Sequence, residues 1–362
     1  MPNFNIIKQH SPKETFRVKS VIGTYDLQTS NIKEEFKGDI DIENKDWSIG
    51  LIVGKSGTGK TTIAKQLFSD LIVESFDYDK ESVLDDMPEK SSVKDICKSF
   101  NSVGFSSPPS WLKPYAVLSN GEKMRVDLAR AILSENKTFA FDEFTSVVDR
   151  NVAKIGSLAM QKAIRKSDKK FIAITCHKDV EDWLMPDWVF DTDNMTFHFY
   201  NDEQKKNKPK LEIEIHETKE KKKYWSMFSK YHYLSHSHNN AARVFILTVN
   251  GEIAGFCSTL PFPHPKLKNH WKEHRTVIFP DYQGIGLGSI LSNNVAEILK
   301  KNGKGFLSTS SNPAFIYSRS KSKKWIVTRK GRTSSGSGKI QNKNKKGSSS
   351  SNRITVSFKY VG

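Results

Sequence analysis

Features that would place the chain in a membrane or in a disulfide-bonded framework are scarce in the sequence. Only three cysteines occur, Cys97, Cys176 and Cys257, and their spacing fits neither a disulfide framework nor a zinc site. No apolar run approaches the length that spans a bilayer, and the first residues lack the apolar core of a signal peptide. We therefore expect a soluble, cytoplasmic protein with no membrane partner.

Acidic residues are scarce in the second half of the chain. Residues 1–200 hold 27 Lys and Arg against 30 Asp and Glu, whereas residues 201–362 hold 30 against 10. No acidic residue follows Glu297. Scattered lysines would only solubilise a surface, but a strongly basic half beside a near-neutral half concentrates polyanions at one surface. Nucleic acid is therefore the partner that we expect for the second half.

The length of 362 residues favours two domains. A polar, lysine-rich stretch predicts a linker at 201–210, between a first domain at 1–200 and a second at 211–362. Within the second domain, the Gly/Ser/Lys-rich stretch 331–353 predicts a flexible basic loop, either a spacer or an arm that contacts phosphates. The alternating pattern of 354–362 predicts a strand that completes the sheet of this domain.

A complete nucleotide-binding loop, GKSGTGKT, lies between an apolar stretch and a helical pattern. This strand–loop–helix context is the one that a P-loop requires. Its amides and the helix N-terminus would hold phosphate oxygens, Lys60 would reach the β- and γ-phosphates, and Thr61 would hold Mg²⁺. The predicted ATP contacts here are Gly54, Lys55, Ser56, Gly57, Thr58, Gly59, Lys60, Thr61 and Thr62.

Four stretches after the P-loop resemble, in order and spacing, the motifs of the ATP-binding-cassette (ABC) superfamily. They are LSNGEKMRVDLARAIL (118–133), TFAFDE (138–143), SVVD (146–149) and FIAITCH (171–177). The resemblance implies that Asp142 holds Mg²⁺ through water, that Glu143 orients the attacking water and that His177 contacts the γ-phosphate. It also implies that Asp149 communicates across a dimer.

The first of these stretches corresponds to the ABC signature motif, which caps ATP bound to a second subunit. The residues that would do so are Ser119, Asn120, Gly121 and Glu122. Asn120 and Glu122 depart from the usual Ser-Gly-Gly-Gln, but the phosphate-facing Ser119 and Gly121 are kept. The resemblance therefore implies a head-to-tail homodimer that closes around ATP and hydrolyses it.

The interval between the P-loop and the signature motif is short. Only 56 residues separate Thr61 from Leu118, and no glutamine of the Q-loop type can be placed among them. A soluble ABC ATPase is therefore favoured over a transporter cassette.

A second glycine-rich loop, DYQGIGLGS at 281–289, follows a hairpin pattern at 242–262 with an Asn250-Gly251 turn. A Rossmann loop would need another glycine spacing and an acid about twenty residues further on. The segment instead resembles motif A of the GCN5-related acetyltransferases (GNAT). The resemblance implies that Gln283, Gly284, Ile285, Gly286, Leu287 and Gly288 hold the pyrophosphate of acetyl-CoA or another acyl-CoA. The plain alternative is a loop that only turns the chain.

Taken whole, the chain resembles the ABC-type ATPases fused to a predicted GNAT-family acetyltransferase domain, which occur in bacteria, archaea and their phages. The stretch 306–332 also resembles, more loosely, Mom-type DNA-modifying acyltransferases. The predicted fold class is α/β, with a P-loop ABC-type ATPase domain followed by a GNAT-like α+β domain.

Acyl transfer to an amine needs a base for the amine proton and an acid for the departing thiolate. Tyr317 occupies the region where GNAT enzymes often carry a tyrosine acid, although a core-packing tyrosine is the alternative. Ser310 or Asn312 could orient the substrate. The base stays open between a carboxylate and water relayed by a histidine. The candidate carboxylates are Glu252, Glu273 and Asp281.

Histidines and aromatic residues cluster in two further stretches, YHYLSHSH (231–238) and HWKEH (270–274). His270 and His274 would share a helix face as metal ligands can, or simply pack or line a substrate groove. The nearby aromatic residues could stack on bases or belong to the core. They are Trp225, Tyr231, Tyr233 and Trp271.

These patterns lead to one preferred function and two alternatives. We expect an ATP-hydrolysing ABC-type ATPase coupled to an acyl-CoA-dependent N-acyltransferase that acts on DNA or tRNA. The first alternative is an ATP-switched, nucleic-acid-binding regulatory machine with a non-catalytic GNAT fold. The second is a protein or small-amine acetyltransferase.

Overall fold

The computed structural model describes residues 3–10, 13, 15–26, 32–201, 209–232, 237–332 and 354–362. Most of the predicted linker and basic loop, and also Tyr233, lie outside these residues. No helix in the described part of the chain is long and apolar enough to cross a membrane.

The secondary structure alternates helices and strands. The strands are β1 (Asn3–His10), β2 (Ile32–Asp39), β3 (Ile49–Val53), β4 (Thr138–Phe141), β5 (Lys170–Thr175), β6 (Trp188–Asp191), β7 (Thr196–Phe199), β8 (Ile213–Thr218), β9 (Arg243–Val249), β10 (Glu252–Pro261), β11 (His270–Ile278), β12 (Gly305–Ser310), β13 (Trp325–Arg332) and β14 (Ile354–Tyr360). The α-helices are α1 (Phe16–Tyr25), α2 (Lys60–Phe68), α3 (Val93–Ser102), α4 (Pro108–Trp111), α5 (Asn120–Leu133), α6 (Arg150–Ile164), α7 (Val180–Leu184), α8 (Lys221–Phe228), α9 (Leu287–Lys301) and α10 (Pro313–Lys321).

The chain divides into two compact units. The first unit comprises residues 1–77 and 134–209, and the second comprises 78–133 and 210–362. Residues 78–133, which we call the helical segment, thus belong with the C-terminal half although they interrupt the first unit in sequence. The compact units differ from the predicted domains 1–200 and 211–362 in the placement of the helical segment. The predicted limits stay a prediction about functional domains.

The first unit is built on a five-stranded sheet in the order β4-β5-β3-β6-β7. Strands β4, β5, β3 and β6 are parallel, and β7 returns antiparallel to β6. All five residues of β3 are buried, as its apolar sequence predicts for a strand covered on both faces. Ile52 of this strand shares an apolar core with Ile63 of α2 and with Trp188. The hairpin-like pair β1–β2 adds Phe4, whose ring packs edge-on against Phe190.

The second unit contains a seven-stranded sheet in the order β13-β14-β12-β11-β10-β9-β8. All neighbours are antiparallel except β11 and β12, which α9 connects as a parallel pair. The predicted hairpin of β9 and β10 is confirmed, with Asn250 and Gly251 at φ 49° and 82°. The predicted final strand is also confirmed, since β14 inserts between β12 and β13. Leu291, Val295 and Leu299 of α9 lie in the core beneath this sheet.

The helical segment adds α3, α4 and α5 to the second unit. α3 packs against both α5 and α10. Phe100 and Phe105 are fully buried, and the indole N–H of Trp111 donates to the carbonyl of Phe105 at 2.8 Å. These contacts join the helices into a layer that belongs to the same compact unit as the seven-stranded sheet.

Candidate active sites

The P-loop of the first unit is closed at its base by hydrogen bonds. The ammonium of Lys60 donates across the loop to the carbonyl of Lys55 at 2.7 Å. The Lys55 amide donates to Asp193 at 2.7 Å, and the hydroxyls of Thr58 and Thr192 lie 2.5 Å apart. The loop is thereby tied to the residues that follow β6. The loop runs directly into the start of α2, and the binding of phosphate by its amides stays a prediction.

A pair of oxygen ligands lies at the start of α2. The Thr61 hydroxyl donates to Oδ2 of Asp142 at 2.8 Å, and Asp142 directly follows β4. Mg²⁺ prefers oxygen ligands and keeps several waters, with phosphate oxygens completing its shell. These two side chains therefore fit a magnesium ion held by Thr61 and, through water, by Asp142.

The carboxyl ends of adjacent parallel strands bring further predicted residues to the same edge of the sheet. β4, β5 and β3 are neighbours, so the residues that follow them lie at one edge. Glu143 follows β4 with φ 53°, in the left-handed region that non-glycine residues rarely adopt, and accepts a hydrogen bond from Ser146 at 2.5 Å. His177 follows β5, and its amide donates to Thr175 at 3.2 Å. Glu143 and His177 thus lie at the edge where the P-loop ends.

Asp149 has a structural position of its own. Its carboxylate caps α6 and accepts the amides of Asn151 and Val152 at 2.9 and 3.0 Å. A cap of this kind stabilises a helix by about 1 kcal/mol. The predicted role of Asp149 across a dimer stays a prediction beside this local one.

The signature-like stretch begins α5 in the second unit. Ser119 and Glu122 form a capping box: the Glu122 amide donates to the Ser119 hydroxyl at 3.3 Å, and the Ser119 amide donates to Glu122 at 3.1 Å. The buried Glu122 carboxylate also accepts the Ser110 hydroxyl at 2.8 Å. The glutamate that departs from the family pattern therefore holds the start of the helix. Any contact of Ser119, Asn120 and Gly121 with a nucleotide stays a prediction.

The second glycine loop begins α9 as predicted. Gly284 and Gly286 have φ 91° and 96°, and Gly286 is the N-cap of this 15-residue helix. The first N–H groups of a helix have no acceptor within it, and the helix dipole adds partial positive charge there. The Leu287 side chain lies in the core, so this residue can contact a ligand only through its backbone. The geometry suits a pyrophosphate at Gln283–Gly288.

The sheet opens beside this loop. β11 and β12 pair only at three positions, His270 to Lys272 with Gly305 to Leu307. The later residues of both strands are unpaired with each other. Because backbone groups must find other partners there, the gap between the strands is a place where a ligand can lie against the sheet.

Buried charges lie at the point where β11 and β12 stop pairing. Arg319 of α10 donates to Glu273 of β11 at 2.9 Å, and the two side chains are only 3% and 9% exposed. Arg319 also donates to the hydroxyls of Ser308 and Ser292 at 2.6 and 2.7 Å. Burial alone would raise the pKa of Glu273, but Arg319 and the hydroxyl hydrogen bonds hold it below its ordinary value. Glu273 is therefore an ionised partner of Arg319 and is poorly suited to accept an amine proton.

The other predicted residues of acyl transfer lie on or near α10. Tyr317 is on this helix with 64% of its surface exposed, and the Lys321 ammonium lies 4.5 Å from its ring centre. Asn312 caps the helix by accepting the amides of Ala314 and Phe315, and the Ser310 hydroxyl accepts the Asn312 amide at 3.0 Å. Ser310 and Asn312 thus shape the turn that presents Tyr317.

The expectation of a helix at 270–274 is wrong. This segment opens β11, whose backbone pairs with β10 on one side and with β12 on the other. His274 lies with its ring 5.6 Å from that of His238, and the Nε2 atoms of both rings are buried without a partner among the described residues. The described residues contain no cluster of three or more His, Cys, Asp or Glu that could hold a metal ion. Trp225 packs in the core against Phe256, which favours the core interpretation for this tryptophan.

A family model matches the region that contains the second glycine loop. Residues 178–314 match the model described as the acetyltransferase (GNAT) family. This part of the chain therefore forms a GNAT-like domain. The match includes β8 to β12 and α9, and it also takes in β6 and β7 of the first unit. With the two sheets, it confirms the predicted α/β class with a GNAT-like second part.

Solved structures resemble separate parts of the chain. The ribosomal-protein-S18-alanine N-acetyltransferase from Escherichia coli is 17% identical over 41% of this chain and 93% of its own, with a TM-score of 0.30. The IAA acetyltransferase from Bacillus cereus is 14% identical over 41% and 99%, with a TM-score of 0.30. A dimeric bacterial ABC transporter cassette is 14% identical over 52% and 92%, with a TM-score of 0.37.

Sequence reasoning missed the partner of Glu273 and the position of Arg125. Arg319 lies near Tyr317 in a basic stretch, so its burial has no local signal in the sequence. Arg125 is fully buried in α5, where it follows Glu122 by three residues on one helix face. A charged residue at an otherwise apolar helical position was the available signal for it.

Proposed function

We propose that the GNAT domain is an acyl-CoA-dependent N-acyltransferase. The observation that carries the proposal is the glycine loop at the start of α9, beside the gap between β11 and β12. The amides of Gln283–Gly288 would bind the pyrophosphate, and the pantetheine arm would lie in the gap. The bound acyl-CoA supplies an activated thioester.

Acyl transfer requires that one proton leaves the amine and that one proton reaches the thiolate, and residues around the gap would do both. The amine nitrogen of the acceptor bonds to the thioester carbonyl carbon while the carbon–sulfur bond breaks. A base takes the proton from the amine, and Tyr317, exposed on α10, gives a proton to the departing thiolate.

The base is best sought among the histidines. Glu273 is committed to Arg319, and Glu252 is exposed at the start of β10. Burial, Arg275 and His238 lower the pKa of His274 to about 4, which leaves its ring neutral at physiological pH. A ring with so low a pKa holds a proton weakly, so we propose that the His238–His274 pair only relays the amine proton to water.

The first unit is proposed to bind and hydrolyse ATP. The P-loop and the Thr61–Asp142 pair would hold the phosphates and Mg²⁺, and Glu143 would orient the attacking water. The signature-like stretch of a second copy would complete the site, which gives an ATP-dependent homodimer. ATP turnover would load or remodel the acceptor of acyl transfer.

Nucleic acid is the acceptor that the charge of the second unit favours. The edge strand β13 and the residues before it expose five cationic side chains, of which Lys321 lies against Tyr317. They are Lys321, Lys323, Lys324, Arg329 and Lys330. A second group, Lys219 and Lys221–Lys223, borders an open cavity of about 340 Å³ at the start of α8, together with Glu220, which pairs with Lys223 at 2.9 Å. Phosphate contacts from such residues would position DNA or RNA so that a base amine reaches the gap.

Nucleoside mass spectrometry tests the whole proposal. Wild type, Lys60→Ala and Tyr317→Phe are expressed, and total DNA and RNA from each are digested and analysed. We expect an acylated nucleoside in the wild type that is lost in both variants. With a folded, ATP-hydrolysing wild type, no new mass in either pool would refute modification of the nucleic acids of that host.

Salt dependence separates nucleic acid from a small amine or a protein as the partner. Duplex affinity should fall log-linearly with salt, with a slope of about −0.9 for each phosphate contact. Reversing Arg329 and Lys330 to glutamate should reduce that slope by about 2. An affinity that does not depend on salt would contradict the nucleic-acid proposal.

A further inference from the structure

A buried arginine of the helical segment holds the residues that lead into the acyl-CoA loop. Arg125 of α5 is fully buried. It donates from Nη1 to the carbonyl of Pro280 at 2.5 Å and from Nη2 to the carbonyl of Asp281 at 3.0 Å. Its Nε atom has no partner within the described residues. Burying a guanidinium costs free energy unless it is well hydrogen-bonded. Here its two donors bind consecutive carbonyls and so fix the turn just before Gln283.

The helical segment makes a second connection to the same turn. The Ser106 amide donates to Oε1 of Gln283 at 2.8 Å, and Nε2 of Gln283 donates to the carbonyl of Ile278 at 2.8 Å. Gly104 has φ 87°, and a Cβ atom there would lie 2.6 Å from the carbonyl oxygen of Gln283. Ser106 therefore holds the side chain of the first residue of the acyl-CoA loop, and Arg125 holds two carbonyls just before it.

Arg125 lies one turn from the signature-like end of α5. The capping box of Ser119 and Glu122 forms the first turn of the helix, and Arg125 follows Glu122 at the i+3 position. Residues at this spacing are neighbours on a helix surface. A shift of the helix start therefore moves Arg125, and with it the two carbonyls that Arg125 holds.

We propose that Arg125 is a positioning residue that links nucleotide capping at Ser119–Gly121 to acyl-CoA binding at Gln283–Gly288. The inference rests on the proposed function, because it needs both ligands. Closing an ATP sandwich on the start of α5 would fix the helix and the loop entry together, so acyl-CoA would pay less ordering entropy on binding. By reciprocity, acyl-CoA would strengthen ATP capping by the same factor.

The test measures acetyl-CoA affinity by titration calorimetry, with and without Mg·ATP. The full-length protein carries Glu143→Gln, so that bound ATP is not consumed. We expect ATP to tighten acetyl-CoA binding by at least about fivefold, the lower end of ordinary allosteric couplings. Binding of both ligands with a ratio of one would overturn the inference and leave the proposed acyltransferase intact. No acetyl-CoA binding at all would instead refute the proposed function, and the inference with it.

Matched variants separate coupling from simple support of the fold. Arg125→Lys keeps the charge but presents a single ammonium, and it should bring the ratio near one while acetyl-CoA still binds. Arg130→Gln changes an arginine of the same helix that lies against Tyr78, and it should keep the ratio. If Arg125→Lys does not fold, Gly104→Ala displaces the same turn without altering α5 and should also lower the ratio. Coupling retained in every folded variant of Arg125 and Gly104 would overturn the proposal.

Discussion

The buried pair of Glu273 and Arg319 should be among the most costly interactions to break in the GNAT domain. Glu273→Gln would leave the Arg319 guanidinium buried and uncompensated, with its charge facing the rings of Phe315 and Trp325 at 4.6 and 4.5 Å. Removing one partner of a buried ion pair costs about 3–5 kcal/mol. Because a typical domain is stable by only about 5–15 kcal/mol, β11 and α10 should open far more often.

Hydrogen exchange followed by mass spectrometry measures this local opening without assuming that the two units unfold together. A loss of about 3 kcal/mol corresponds to exchange faster by roughly a hundredfold in peptides from β11 and β12. Peptides from α2 serve as the internal control. The double variant Glu273→Gln, Arg319→Met should recover part of the protection, since no unpaired charge remains. A change below about fivefold in Glu273→Gln would refute the reasoning.

Three further predictions concern other sites. The folded pKa of His274, about 4, lies below its ordinary value of 6.5, so the folded state binds fewer protons and stability should fall as the pH drops from 6.5 to 4. Thermal melts at pH 7 and 5 should show a smaller acid-induced loss in His274→Gln than in wild type or in the exposed control His216→Gln, and equal losses would contradict this. Glu122→Ala removes one half of the capping box at a cost of about 1 kcal/mol, so the first amides of α5 should exchange roughly fivefold faster, and unchanged exchange would count against the role of the carboxylate. Gly59→Ala adds a Cβ atom 2.5 Å from the Phe36 ring, whereas the control Gly57→Ala meets open space at the same φ of 86°. Gly59→Ala should therefore weaken ATP binding at least about tenfold more than Gly57→Ala. Equal losses would show that backbone strain at positive φ alone matters.

The sequence predicted the elements whose signals are local. The glycine spacing of 54–61 and 283–288 placed both loops at helix starts, and Asn250-Gly251 placed the hairpin turn, because these backbones need residues that tolerate positive φ. The alternation of apolar and polar residues in 354–362 predicted β14, because such a period of two is a local signal.

The failures concern interactions between residues distant in sequence. The stretch 270–274 looked helical because i, i+4 histidines also suit a helix, and only pairing with β10 and β12 makes it a strand. By its sequence position Glu273 is a candidate base, but Arg319, 46 residues later, pairs with it. No local pattern reports such a partner, because the partner is chosen by the packing of α10 on the sheet.

The discontinuity of the second unit has a consequence for how the protein is made. Residues 78–133 leave the ribosome well before residues 210–362. The side chain of Arg125 therefore stays in water until Pro280 and Asp281, whose carbonyls accept its hydrogen bonds, have been synthesised. A fragment that ends before residue 210 would keep the P-loop. It would also expose the surface of the helical segment, including Arg125, that residues 210–362 normally cover. Cutting the gene at its apparent border in sequence would therefore divide one folding unit in two, and the halves would have to be synthesised together to recover it.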